Sequence, residues 1–89
     1  MNAPAQNGGG LRTPENVAEG GWLVFYVDTG ATEVAVSVPG FGGAFLKVGS
    51  DGRVEYRLPP GARGGENVLI TDNQPPRPAT ATVPIVSAD

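Results

Sequence analysis

Gly30-Ala31-Thr32-Glu33-Val34-Ala35-Val36-Ser37-Val38, then Val48-Gly49-Ser50-Asp51-Gly52-Arg53-Val54-Glu55-Tyr56-Arg57-Leu58-Pro59-Pro60-Gly61, then Glu66-Asn67-Val68-Leu69-Ile70-Thr71-Asp72 decide the fold. Apolar residues alternate with polar ones, and each run stops at Gly, Pro or Asp-Gly. That is the period of half-buried antiparallel strands separated by turn chemistry. In the first run Val34, Val36 and Val38 point one way, and Glu33, Ala35 and Ser37 the other. In the second, Val54, Tyr56 and Leu58 take the core side, with Arg53, Glu55 and Arg57 in water. Asp51-Gly52 reads as a hairpin turn, Gly52 supplying a positive φ.

Working outward, Trp22–Val27 reads as a strand apolar on both faces, hence central or covered on both sides. A strand is predicted over Ala44–Val48. Val68 and Ile70 carry another, and Ala81, Val83 and Ile85 close the domain. Pro59-Pro60-Gly61 and Gly64-Gly65 read as a corner between sheets, and residues 74–78 as a stiff proline loop. Residues 11–18 form a short edge segment in which Pro14 limits the ladder. Six or seven short strands without a helical pattern predict an all-β sandwich. It occupies residues 11–89, behind a polar Gly-rich arm over residues 1–10.

Composition narrows the class. Fourteen Gly and nine Pro in 89 residues approach the level of disordered chains, but the Val-rich alternation assigns them to turns. One modest core is available. Cysteine and histidine are both absent, which removes disulfides, thiolate metal sites and the commonest general base. Net charge is −3 with signs interspersed, so no basic patch marks a nucleic-acid partner. No apolar run reaches the roughly 18 residues of a membrane-spanning helix. Residues 1–10 lack a charged n-region and an apolar h-region, Met1-Asn2-Ala3 reads as a natural start, and Val86-Ser87-Ala88-Asp89 as a natural stop. That pattern is expected of a chain made and used without export.

The runs at 48–61 and 66–72, with Gly30-Ala31-Thr32-x-Val34-x-Val36, resemble bacterial immunoglobulin-like domains of the adhesin-repeat type. Those repeats combine a Gly-Ala-Thr strand, an Asp-Gly hairpin, a Leu-Pro-Pro-Gly corner and a Val-x-Val-Thr-x-x-Asp strand. The likeness covers roughly residues 20–86. It departs after Asp72, where Asn73-Gln74-Pro75-Pro76 replaces the family's Gly-Asn turn, and the chain has no internal repeat. The resemblance implies an immunoglobulin-like sandwich without enzymatic activity or cofactor. It places the chain first among bacteriophage virion proteins, as a capsid decoration or tail component made in the host cytoplasm. Capsid or tail subunits are then the expected partners, with Asn2, Ala3, Pro4, Leu11 and Phe41 as the contact residues. Phe41 is singled out because a large apolar side chain among Gly40, Gly42 and Gly43 has little local reason to be buried; the competing reading has it fold back to cap the open end of the sandwich. The alternative implied setting is a bacterial cell surface, where the module acts as a spacer or binds host-surface glycan.

Three chemical motifs compete with this reading. Phe25-Tyr26-Val27-Asp28-Thr29-Gly30-Ala31 resembles the active-site signature of retroviral-type aspartic proteases, which implies Asp28 as one carboxylate of a dimeric dyad and residues 49–52 as the flap. That family also needs a C-terminal helix, which the prolines after Asp72 forbid, so an ordinary turn is favoured. Asp28, Asp51, Asp72 and Asn73 are candidate calcium ligands without the spacing of a dedicated loop. Trp22, Phe25, Tyr26, Phe41, Phe45 and Tyr56 are candidates for a sugar-stacking face, although a small domain needs most of them in its core.

Overall fold

A computed structural model describes residues 10–75 and 78–88. Among these there are eight strands and no helix: β1 (Leu11–Arg12), β2 (Val17–Ala18), β3 (Trp22–Val27), β4 (Glu33–Ser37), β5 (Gly43–Lys47), β6 (Arg53–Arg57), β7 (Asn67–Thr71) and β8 (Thr80–Val86). They form two sheets, ordered β1-β3-β6 and β2-β8-β7-β4-β5, facing each other as a sandwich. The count exceeds the six or seven predicted because residues 11–18 divide into two short strands, one per sheet. All pairings are antiparallel except β2 with β8, which run parallel.

Alternation builds the core as the sequence predicts. Leu23, Phe25 and Val27 of β3, with Val54 of β6, face Val34 and Val36 of β4, Val68 and Ile70 of β7, and Val83 and Ile85 of β8. Each of these is buried, and burying such a side chain stabilises by about 1.5–3 kcal/mol. Trp22–Val27 is central in its sheet but not covered on both sides. Trp22 is 56 % exposed, and Val24 and Tyr26 are half-buried on the solvent face.

The turn at 49–52 does not make a hairpin. Gly52 takes φ +89 as expected, and Asp51 Oδ1 accepts from the Arg53 amide at 3.0 Å. However, β5 belongs to the large sheet and β6 to the small one, so the turn carries the chain between sheets. The hairpin in this part of the chain is β4–β5. It is closed by Val38-Pro39-Gly40-Phe41, with the Phe41 amide donating to the Val38 carbonyl at 2.8 Å and Gly40 at φ +89. Pro at the second position and Gly at the third are what that turn's backbone asks for. Residues 58–66 do cross between sheets, from β6 to β7, as predicted.

Pro84 sits inside β8 without breaking it. The Ile85 amide donates to Glu66 on the β7 side, so the position before it turns its nitrogen the other way. There β2 pairs only at Ile85 and Val86, and no ladder bond is lost.

Candidate functional site

Strand register assembles one chemically distinct surface, the outer face of the small sheet. Trp22, Val24 and Tyr26 of β3 lie opposite Arg57, Glu55 and Arg53 of β6, and Arg12 of β1 lies on the other side of Tyr26. The Arg57 guanidinium stands 5.5 Å from the Trp22 ring centre, and that of Arg12 stands 5.1 Å from Tyr26. Both are within the range of cation–π attraction. Arg12 Nε donates to Asp28 Oδ2 at 2.7 Å, and Arg53 donates to Glu55 at 2.8 Å and to the Tyr26 hydroxyl at 3.2 Å. The Arg12 guanidinium is pushed above its ordinary value chiefly by its bond to Asp28, and Arg53 by its bond to Glu55. These pairs are solvent-exposed, so they order the face more than they stabilise the fold. Three of the chain's six basic residues stand here beside two of its nine acids, giving the face net +1 in a chain of net −3.

The six candidate stacking aromatics are therefore not one face. Phe25 is fully buried, and Tyr56 points inward and is half-buried, its hydroxyl pushed up by burial. Phe45 is on the opposite sheet. Only Trp22 and Tyr26 share a surface, about 13 Å apart along the strand. Their parity is legible in the sequence; the arginines gather from three strands and need the register.

Asp28 is engaged by Arg12, while Thr29 and Gly30 form a turn. Thr29 Oγ1 accepts from the Ala31 amide at 3.2 Å, and Gly30 has φ +85. The candidate calcium ligands do not converge. Asp72 is buried, and its Oδ1 accepts from the Ala79 amide at 2.8 Å and the Gln74 amide at 3.1 Å. Among the described residues no three acidic side chains approach closely enough to share a metal ion.

Of the expected contact residues, Asn2, Ala3 and Pro4 lie outside the described residues. Leu11 cannot offer its side chain to a partner: it is 1 % exposed and belongs to the core, paired opposite Val27. Gly10, assigned to the arm by its sequence, is part of the fold, since its carbonyl accepts from the Asp28 amide at 2.6 Å. Phe41 is 41 % exposed and lies against the corner at Gly61, where an added Cβ would come within 3.4 Å of its ring. Part of the ring covers that corner and part remains open.

No protein-family model matches the chain, and neither a curated protein nor a solved structure does.

Proposed function

We propose that the chain is a non-catalytic structural or binding protein built on an immunoglobulin-like sandwich, and that it attaches to capsid or tail subunits of a bacteriophage virion through residues 1–9. Strand order supports the immunoglobulin-like part. The order β1-β3-β6 corresponds to strands A, B and E of that architecture, and β8-β7-β4-β5 to G, F, C and C′. The cysteine pair, core tryptophan and tyrosine corner of antibody domains are missing; Val36 and Val68 fill the middle of the core instead, and the single Trp lies outside it.

The observation that carries attachment is the fixed base of the arm. Gly10 is hydrogen-bonded to Asp28 and Leu11 is sunk in the core, so a pull on the preceding residues is transmitted to the sandwich. Asp28, the one acid with a protease-like setting, is held by Arg12, and the described residues after Asp72 form strand β8 where such a protease needs a helix, which favours a non-enzymatic role. The test is capture from lysate of the producing cells with the full chain and with residues 1–9 deleted. An identified capsid or tail subunit retained by the full chain alone supports the proposal, and its absence from both captures overturns it.

A surface module that binds glycan is the second reading, favoured by the Trp22–Arg57 and Tyr26–Arg12 pairs. Stacking rings beside guanidinia suit a sugar that carries carboxylate or sulfate groups. Trp22→Ala would then abolish binding to such a glycan without altering arm-dependent capture.

A further inference from the structure

Among the described residues the sandwich has four edge strands, and three of them are blunted. β1 and β2 are two residues long, and β6 presents the charged series Arg53, Glu55 and Arg57. Short edges and charged edges are the usual protections against strand addition. The fourth edge, β5, has neither. Gly43-Ala44-Phe45-Leu46-Lys47 contains no proline, and its single charge is at the end. Phe45 is 70 % exposed. Ala44 and Leu46 point inward, opposite Val36 and Val34, yet Ala44 is exposed and Leu46 only half-buried. The small sheet ends at β6, so β5 is poorly covered on both faces.

The ladder also states which backbone groups are free. The Val48 amide donates to the Thr32 carbonyl at 2.9 Å and the Val38 amide to the Gly42 carbonyl at 3.3 Å, on the same register line as the β4–β5 pairs. Hydrogen-bonded pairs alternate along an antiparallel ladder. Residues 42, 44, 46 and 48 therefore direct their amides and carbonyls at β4. Gly43, Phe45 and Lys47 direct theirs away from it, into the open edge.

We infer that β5 is a self-association edge, and that two copies of this chain pair β5 to β5, antiparallel, about a two-fold axis at Phe45. In that register Phe45 exchanges both backbone bonds with Phe45 of the second copy, and Gly43 and Lys47 exchange theirs with each other. Each pair is of the hydrogen-bonded kind, so every outward group of the strand is used. Charge is compatible as well. Lys47 faces a glycine, and the two Lys47 side chains are about 14 Å apart, beyond a Debye length of about 8 Å. The Phe45 rings meet on the outer face, each beside Ala35, whose row continues to Thr71 along a groove of about 350 Å³ that Leu69 also lines. The result is a closed, isologous dimer with one continuous ten-stranded sheet.

An edge contact of this size is weak, so a monomer–dimer equilibrium is expected in the range of about 10 µM to about 1 mM. Sedimentation of the full chain across that range tests it, alongside Phe45→Glu and Phe45→Pro. The first places like charges opposite each other at the axis; the second removes an amide that points only outward and leaves the β4 ladder intact. Both variants should stay folded by circular dichroism and remain monomeric throughout. A wild-type chain that is monomeric to about 1 mM overturns the inference. A dimer that survives Phe45→Pro in folded form overturns backbone pairing, and one that survives Phe45→Glu overturns the axis at Phe45. Should Phe45→Pro fail to fold, Phe45→Glu alone decides.

Discussion

Asp72 shows how a buried charge can be held by a loop. It is 3 % exposed and among the described residues no cation pairs with it, yet its carboxylate accepts from two amides at opposite ends of the turn between β7 and β8 and from the Thr29 hydroxyl. Burial pushes its pKa up; those hydrogen bonds, with one from its own amide, outweigh burial and hold it below the usual carboxylate value. The sign for stability follows. A carboxyl depressed in the folded state stabilises fully above its unfolded value of about 3.9, and that contribution is lost as pH falls through the lower folded value. Urea unfolding of the wild type should therefore lose stability as pH drops below about 4, and Asp72→Asn should flatten that part of the profile. At pH 7 Asp72→Ala should cost about 1–3 kcal/mol, because two amides lose their acceptor. An unchanged low-pH profile in Asp72→Asn would place the acid sensitivity elsewhere.

Among the elements, β6 tests parity most sharply. Val54 is 2 % exposed and Glu55 points into water beside Arg53. Val54→Asp buries an unpaired charge and should leave the chain unfolded at 25 °C by circular dichroism. Glu55→Lys should shift stability by no more than about 0.5 kcal/mol, since an exposed pair contributes little. Equal effects would mean that the strand has slipped by one residue. The faces of β4, β6 and β7 are legible in the sequence because alternation reports them directly. The sheet each strand joins is not. Asp51-Gly52 specifies a positive φ at Gly52, and the same local geometry serves a hairpin or a crossing between sheets. Pairing across the sandwich is decided by long-range packing, in which Val34 and Leu46 sit side by side while Val54 lies opposite Phe25. The aromatic–arginine face has the same origin. Trp22 and Tyr26 share a side by period, but Arg12, Arg53 and Arg57 reach it through register alone.

For the molecule as a whole, residues 11–18 tie one sheet to the other. Leu11 and Arg12 lie on β3 in the small sheet, and six residues on from Leu11 Val17 pairs with Ile85 in the large one. No periodicity announces two-residue strands, so this division lies below what alternation can resolve. Its energetic weight is nevertheless that of core. Leu11→Ala should cost about 2–5 kcal/mol, whereas Arg12→Ala, which loses only exposed contacts, should leave stability nearly unchanged. Chemical denaturation of both variants separates the two, and a mild Leu11→Ala would show that the strand is not part of the cooperative unit.

The parallel contact between β2 and β8 gives the domain a mechanical direction. Gly10 lies beside Asp28 and Gly52 at one pole, while Val86 leaves beside Glu19 and Gly64 at the other. Tension applied through the two ends of the chain runs along these strands, so the short ladders at β1 and β2 slide in shear and their bonds share the load. A pull across the strands at β5 would instead peel one bond at a time. The same sandwich is stiff as a tether along its length and yielding at its open flank.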